Sequence, residues 1–320
     1  MEMKKVSELF GVNAPDTAVV SVRDRLSDLP AEAYPAIDPD YVFDSDLLRK
    51  MLRILLGQSA RRNVLLTGEP GVGKSSVLLQ MAARLNIPVF SLACSGRTRF
   101  DHMIGSHALL KGETVWKDGP LLLAMKYGGV FLANEITRMD PGEQMDMAEV
   151  LDSSGTLTNP HTGEVVRAQS GFVCVATGNT GGYGDTEGAY PGERASSPAF
   201  LDRFQKLEVT HLPKEQELAL LRRVAPNVPE TIAAYMVGLA QEVRENFVGR
   251  GGSLRLILST RSLLVWAKET AGYTDMRIGK EPIMAALEDT ILNGAPKDEL
   301  QAVKEIWDQW ISGSKSNPAA

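Results

Sequence analysis

The chain has 320 residues, of which 43% are hydrophobic and 23% are charged, and its formal net charge is −6. This length allows a full hydrophobic core and predicts two domains of ordinary globular composition. The acidic balance argues against a general nucleic-acid-binding surface, and no apolar run approaches the roughly 18 residues that a membrane span requires.

The chain changes character near Tyr41. Residues 1–40 contain four prolines and little periodicity, which predicts an N-terminal arm rather than a domain. Over residues 41–211, helix-like segments alternate with short apolar runs, as expected for parallel strands covered on both faces. The predicted strands are Val64–Thr67, Pro88–Cys94, Val130–Ala133, Phe172–Ala176 and Gln205–Val209. These repeated strand–helix units predict an α/β fold with a doubly wound parallel sheet.

A glycine-rich loop follows the first of these strands. Residues 68–75 fit the phosphate-loop pattern G-x-x-x-x-G-K-[ST] at every fixed position. The glycines let successive backbone N–H groups turn toward phosphate oxygens at the start of a helix, where anions are favoured. Lys74 would reach the β- and γ-phosphates, and the Ser75 hydroxyl would ligate Mg²⁺. A glycine turn without a ligand is the competing interpretation. The predicted nucleotide-binding residues are Gly68, Glu69, Pro70, Gly71, Val72, Gly73, Lys74, Ser75 and Ser76.

The strand Val130–Ala133 ends in Asn134 and Glu135. The usual pattern for nucleotide hydrolysis is four apolar residues followed by Asp-Glu. Glu135 is therefore predicted to orient or deprotonate the attacking water. Asn134 could still hold Mg²⁺ through water, but it adds no negative charge. Two alternatives stay open, namely nucleotide binding with slow hydrolysis and a polar strand end without chemistry.

Three further polar residues are candidates for contact with the γ-phosphate. Asn179 follows the next apolar strand, where an amide could touch both the phosphate and the attacking water, although an Asn before Thr-Gly-Gly is also typical of turns. Arg203 lies just before the last strand, and Arg261 opens a helix of the C-terminal region. A guanidinium at the γ-phosphate stabilises the charge of the transition state, and it can come from a neighbouring subunit. The alternative for either residue is a surface or helix-end arginine.

Two predicted hairpins and one long loop interrupt the strand–helix alternation. The segments Lys111–Trp116 and Thr156–Val166 are predicted hairpins, the second around a Pro/Gly turn. Asp140–Leu151 begins with a capping signature and is predicted to be one helix. Gly178–Ser197 is rich in glycine and small polar residues and is too long for an idle connection, which favours a functional loop.

Residues 212–320 show helical periodicity and no clear strand pattern, which predicts an all-helical C-terminal domain. Helices are predicted at Glu281–Leu292 and Asp298–Ile311. The second carries Trp307 and Trp310 on one face, which favours a packed face over a partner site. The absence of an apolar N-terminal stretch predicts no signal peptide, and the two cysteines in apolar runs favour buried thiols in a reducing compartment. We therefore expect a cytoplasmic protein.

Together these motifs resemble those of an AAA+ ATPase of the MoxR group, and especially the small ATPase subunit of cobalt chelatase. The resemblance spans roughly residues 9–220. It is carried by the phosphate loop and by five further segments, Phe10–Val12, Asp38–Asp44, Leu151–Gly155, Ala176–Thr186 and Leu201–Phe204. It implies a P-loop AAA+ domain followed by a helical lid domain, with two hairpin inserts near Gly112 and at Thr156–Val166.

The resemblance also implies roles for individual residues. Glu135 would be the catalytic carboxylate, Asn179 would be sensor 1 and Arg261 would be sensor 2. Arg203 would be an arginine finger that acts across a subunit boundary. The family usually has Asp before the catalytic Glu, so Asn134 is a departure that bears on hydrolysis and on the dependence on Mg²⁺, though not on nucleotide binding.

The implied activity is hydrolysis of ATP with Mg²⁺ by a homo-oligomer that forms a hexameric ring. Such rings remodel or activate a partner, often a protein with a von Willebrand A domain, or assist metal insertion. A nucleotide-gated assembly module with little hydrolysis is the alternative that Asn134 supports. A nucleic-acid motor is disfavoured, because neither predicted hairpin is rich in Lys or Arg.

Overall fold

The computed structural model describes residues 2–278 and 281–312 of the chain. In chain order its strands are β1 (Glu2–Lys5), β2 (Val19–Val22), β3 (Asn63–Thr67), β4 (Val89–Ala93), β5 (Gly105–Leu110), β6 (Glu113–Asp118), β7 (Val130–Asn134), β8 (Thr156–Thr158), β9 (Val165–Arg167), β10 (Val173–Gly178) and β11 (Gln205–Glu208).

The helices alternate with these strands and then continue alone. They are α1 (Val6–Phe10), α2 (Ser45–Leu55), α3 (Lys74–Leu85), α4 (Phe100–Ile104), α5 (Pro120–Tyr127), α6 (Pro141–Met145), α7 (Ala148–Leu151), α8 (Pro198–Leu201), α9 (Lys214–Val224), α10 (Glu230–Glu245), α11 (Thr260–Met276), α12 (Pro282–Leu287) and α13 (Lys297–Ile311). Single turns of 3₁₀ helix cover Ala31–Ala33, Ile136–Arg138 and Val248–Arg250. None of the described helices has the combined length and apolar character needed to cross a membrane.

Five of the strands form one parallel sheet in the order β11–β3–β10–β7–β4. They are the strands that the apolar runs predict, with ends displaced by no more than two residues. Thr67 at the end of β3 pairs with Gly178 in β10, and Ala176 in β10 pairs with Ala133 in β7. The carboxyl ends of these three strands therefore lie side by side, which brings together the loops that follow them.

Both faces of this sheet are covered, which confirms the doubly wound architecture. Val64 and Leu66 of β3 belong to a core that includes residues of α2 and α3. Leu65, between them, belongs to a second core that includes residues of α4, α5 and α8. The alternation follows from the strand period of two, and it explains why the central strands β3, β10 and β7 are apolar at most positions, whereas the edge strand β11 is not.

The segment predicted as an N-terminal arm packs against the first core. Strands β1 and β2 form an antiparallel pair with α1 between them along the chain. Val6 and Phe10 of α1 are buried there, and the Phe10 ring meets the Phe43 ring edge-on at a centroid distance of 5.2 Å. This segment is therefore joined to the sheet domain by apolar contact rather than extending away from it.

The C-terminal helices enclose a third core. The rings of Trp266 in α11 and Trp307 in α13 pack edge-to-face at 5.6 Å. The Trp310 indole N–H donates to Glu242 in α10, at 3.1 Å, so the tryptophan face of α13 is a packed one. Beyond β11 the described residues contain helices and one isolated bridge, between Phe247 and Leu254.

The structure differs from the predicted elements in three places. The predicted single helix Asp140–Leu151 is wrong: α6 and α7 are separated because Met147, whose N–H donates to the carbonyl of Gln144, turns into the second core. The first hairpin is longer than predicted, since β5 and β6 pair over six residues each. The predicted helix Glu281–Leu292 changes after α12 into a π-helical turn at Glu288–Leu292.

Candidate active site

The loop between β3 and α3 packs so closely that two of its positions admit only glycine. A Cβ on Gly68 would lie 2.1 Å from the carbonyl oxygen of Val209, and one on Gly71 would lie 2.3 Å from Ser259 Oγ. Both residues also have positive φ, at 142° and 76°. The loop ends where α3 begins at Lys74, so the free N–H groups of the first helical turn lie beside it. This is the geometry of an anion cradle.

The Lys74 side chain lies across this loop and is largely buried. Its Nζ donates to the carbonyl oxygens of Gly68 and Glu69, at 2.7 and 3.0 Å, and to Asn179 Oδ1 at 2.9 Å. Burial lowers the pKa of Lys74 to about 8. The negative charges of Glu193 and, to a smaller extent, of Glu135 act in the opposite direction and raise this pKa. A cation in this position is already directed at the space that the glycine loop surrounds.

The Ser75 hydroxyl and the Asn134 amide meet where α3 begins and β7 ends. Ser75 Oγ donates to Asn134 Oδ1 at 2.5 Å, which places two neutral oxygens together next to Lys74. Oxygen ligands of this kind suit Mg²⁺, which is commonly held by few protein groups together with substrate phosphates. The glycine cradle and this oxygen pair therefore fit a magnesium nucleotide, although position 134 contributes no charge.

Glu135 occupies a left-handed backbone conformation, with φ of 57° and ψ of 42°, directly after β7. Its N–H donates to Thr177 Oγ1 of β10 at 2.9 Å, which fixes the turn. Its half-exposed carboxylate accepts from Arg138 Nη1 at 2.8 Å, and Arg138 Nη2 donates to the carbonyl of Pro191 at 3.0 Å. The predicted catalytic carboxylate is therefore held in an ion pair that the sequence did not suggest.

Asn179 lies between the phosphate loop and the end of β7, as the strand order requires. Its Oδ1 accepts from Lys74, and its Nδ2 donates to Glu193 Oε1 at 3.3 Å. Glu193 is buried and belongs to the long loop 178–197. The length of that loop predicted a function, but nothing in the sequence singled out Glu193.

Arg261 and Arg203 lie in different parts of the molecule. Arg261 is in the first turn of α11, where its Cβ lies 3.8 Å from the Cβ position of Gly71. Together with Tyr41, Gly73 and Ser76 it lines a cavity of about 440 Å³ beside the phosphate loop. The structure thus brings Lys74, Ser75, Ser76, Asn134, Glu135, Asn179 and Arg261 to one region, with Pro70 and Val72 in the loop itself.

Arg203 is at the opposite end of the sheet. Its Nε donates to Asp152 Oδ1 at 2.7 Å, and its Nη1 donates to the carbonyl of Ala199 at 2.6 Å. Asn63, the first residue of β3, donates from Nδ2 to the carbonyl of Arg203 at 3.1 Å, whereas the phosphate loop follows the last residue of β3. Arg203 therefore does not face the phosphate loop of its own chain.

Glu69 contributes its backbone to the loop, but its carboxylate turns toward the C-terminal region. It accepts from His211 Nε2 at 2.9 Å and pairs with Arg250. Burial alone would raise the pKa of Glu69, but the hydrogen bonds from His211 and Arg250 outweigh it and hold the pKa below its ordinary value. His211 Nδ1 also lies 3.2 Å from Thr260 Oγ1 in α11. The phosphate loop is thus tied to the helical region through a polar network.

A parallel sheet with strand order β11–β3–β10–β7–β4, a glycine phosphate loop and a polar residue at each neighbouring strand end defines a P-loop AAA domain. Residues 63–204 match the model of the AAA domain (dynein-related subfamily), and residues 217–310 match the CbbQ/NirQ/NorQ C-terminal model. The chain belongs to the AAA+ ATPase family, within the MoxR group that includes the CobS, NirQ and NorQ proteins.

Individual relatives agree with this assignment. The aerobic cobaltochelatase subunit CobS of Sinorhizobium sp is 31% identical over 313 residues, which cover 92% of this chain and 90% of that protein. The denitrification regulatory protein NirQ of Stutzerimonas stutzeri is 28% identical over 245 residues, covering 77% and 82%. Among solved structures, a mutant of Thermotoga maritima RuvB superposes with a TM-score of 0.52 at 14% identity, over 80% of this chain and 73% of that one. That likeness shows the fold alone.

Proposed function

We propose that this protein hydrolyses ATP, in a Mg²⁺-dependent reaction, as a ring-forming motor that remodels or activates a partner protein. The observation that carries the proposal is the convergence of Lys74, the Asn134–Glu135 pair and Asn179 at three adjacent strand ends. A phosphate loop alone supports binding only. A carboxylate and an amide on the next two strands support cleavage of the terminal phosphate as well.

The roles follow from the chemistry of each group. The loop amides and Lys74 would hold the phosphates, and Ser75 with Asn134 would hold the metal, Asn134 through water. A Mg²⁺ ion held there would neutralise negative charge that develops on the phosphates. Asn179 would donate to the γ-phosphate and orient the attacking water. Arg261, which lies above Gly71, would add positive charge from the helical region.

Glu135 would act as the base that orients the attacking water, and its contact with Arg138 could give way to that water. The 2.8 Å contact between Arg138 Nη1 and Glu135 Oε2 occupies one of the two carboxylate oxygens. The pair is half-exposed, and such ion pairs contribute only about 0–1 kcal/mol. Exchanging this contact for a bound water is therefore a small change compared with the barrier to phosphoryl transfer.

Arg203 would complete the site of a neighbouring protomer. It faces away from its own phosphate loop, and Asp152 and the Ala199 carbonyl hold its guanidinium in place. Head-to-tail contacts would let every subunit supply this finger to the next, and such contacts form a ring when the rotation between subunits closes. AAA+ proteins commonly form such rings, and we propose a hexamer here.

The similarity to a cobaltochelatase subunit supports assistance to metal insertion as one version of the proposal, and a protein with a von Willebrand A domain is the partner class that we propose.

Asn134 favours a second candidate function, a nucleotide-gated assembly module with little turnover, because an uncharged group replaces the usual Asp beside Ser75.

The test compares the wild-type chain with Glu135→Gln in Mg²⁺-dependent phosphate release and in ATP binding. We expect the wild type to hydrolyse ATP, and the variant to bind ATP but lose turnover. Glu269→Gln, which changes an exposed carboxylate of α11, is the matched control and should behave as wild type.

The outcomes separate the alternatives. Failure of the wild type to bind adenine nucleotide with Mg²⁺ would overturn the whole proposal. Binding without turnover would favour the assembly module, and a Glu135→Gln variant with wild-type turnover would show that Glu135 is not the catalytic carboxylate.

A further inference from the structure

The long loop after β10 folds inward and delivers one acidic side chain to the active site. The loop is held by hydrogen bonds from Arg194 N to the Thr137 carbonyl and from Ser196 N to the Gly182 carbonyl, both at 2.8 Å. Glu193 is only 9% exposed, whereas Glu187 in the same loop is exposed. A buried carboxylate is costly, so a specific set of partners must retain it.

Glu193 accepts hydrogen bonds from two neutral side chains directly after β10. Its Oε1 accepts from Asn179 Nδ2 at 3.3 Å, and its Oε2 accepts from Thr180 Oγ1 at 3.1 Å. Within the part of the chain that the structure describes, Glu193 forms no ion pair.

These contacts fix the direction of the Asn179 amide. An ammonium group can only donate and a carboxylate can only accept, so the amide oxygen must face Lys74 and the amide nitrogen must face Glu193. One N–H of Nδ2 is then committed to Glu193, and the other is left for a group in the cradle. With phosphates in the cradle, Lys74 would donate to them. Glu193 would then be the partner that prevents the Asn179 amide from rotating by 180°, which would exchange its oxygen and nitrogen.

We propose that Glu193 is a positioning residue that orients the Asn179 amide, so that its remaining N–H points at the γ-phosphate and the attacking water. The inference rests on the proposed ATPase function and adds to it a residue outside the strand-end motifs. Glu193 itself touches neither phosphate nor water in this arrangement. It acts through Asn179.

The test uses Glu193→Gln, which keeps the size and one acceptor but can present an N–H to Asn179 and loses the charge. We expect kcat for ATP hydrolysis to fall about 10–100-fold, because the amide that orients the attacking water is no longer held in one direction. Glu187→Gln is the matched control from the same loop and should keep the wild-type kcat. Thermal denaturation of both variants reports whether the loop remains folded.

A double-mutant cycle separates positioning from a structural role. If Glu193 acts through Asn179, then Glu193→Gln should cost nothing further in an Asn179→Ala background. An equal loss in both backgrounds, or a wild-type kcat in Glu193→Gln, would overturn the inference.

A second readout does not depend on hydrolysis. The ratio of affinities for a non-hydrolysable ATP analogue and for ADP measures how well the γ-phosphate is sensed, and it should fall in Glu193→Gln. If the wild type shows no turnover but this ratio still falls, the proposed hydrolysis fails while the positioning role of Glu193 stands. An unchanged ratio in a variant that binds nucleotide would refute the role of Glu193 alone.

Discussion

Replacing Arg203 by Ala tests whether the catalytic site is shared between two protomers. Arg203 sits beside Asn63, at the amino end of β3, and the phosphate loop begins after Thr67 at the other end. At about 3.3 Å per residue, β3 separates the two ends by roughly 13 Å, which exceeds the reach of an arginine side chain. The guanidinium can therefore meet a γ-phosphate only on another protomer.

The expected magnitude follows from this arrangement. An arginine finger contributes about 10³–10⁵-fold to the rate of phosphoryl transfer, so Arg203→Ala should lower kcat by about 10³-fold or more. The affinity for ATP in the binding site of the same chain should be nearly unchanged, because no atom of Arg203 lines it. Arg223→Ala, which removes an exposed arginine of α9, is the matched control and should retain activity.

Mixing two inactive variants gives the decisive result. In a 1:1 mixture of Arg203→Ala and Glu135→Gln protomers, about a quarter of head-to-tail interfaces pair an intact Glu135 with an intact neighbouring Arg203. Steady-state phosphate release should then recover to about that fraction of the wild-type rate. Co-assembled rings without any recovery, or a fully active Arg203→Ala variant, would refute the shared site.

Two further predictions concern metal binding and stability. Asn134→Asp should place a charged oxygen beside Ser75 and lower the Mg²⁺ concentration for half-maximal turnover by about 10-fold. A Mg²⁺ titration measures this concentration, and an unchanged value would mean that position 134 has no role in metal binding. Glu217→Ala should lower the free energy of unfolding by about 3–5 kcal/mol in urea denaturation followed by tryptophan fluorescence, because it leaves the buried guanidinium of Arg244 unpaired. The exposed Glu215→Ala in the same helix should cost less than about 1 kcal/mol, and equal losses in the two variants would contradict the ion-pair explanation.

The central sheet could be predicted from the sequence because its signals are local. A buried parallel strand is apolar at nearly every position, as in Val64–Leu66, and the strands β3, β7 and β10 lead directly into the polar residues of the site. Chain order and strand pairing then bring Asn134 and Asn179 together with the phosphate loop. The local pattern does not predict the break between α6 and α7, because this break depends on the burial of Met147 in a core that other segments build.

The side-chain contacts of the site were less predictable, since they join residues far apart in the chain. Glu69 was assigned to nucleotide binding by its position in the motif, yet its carboxylate pairs with His211 and Arg250, which lie 142 and 181 residues further on. In the same way, the composition of the long loop indicates a function, but it does not show that Glu193 rather than Glu187 turns inward. Such choices are made by tertiary packing, which no local pattern records.

The close approach of Gly71 to Ser259 has a consequence for how the two halves of the molecule communicate. Because not even a methyl group fits between them, a displacement of this loop presses directly on the start of α11. Such coupling is reciprocal. If a partner protein that moves the helical region changes the affinity for nucleotide, then nucleotide changes the affinity for that partner by the same factor. A protein bound to the helical region could therefore change how much nucleotide the phosphate loop binds without contacting that loop.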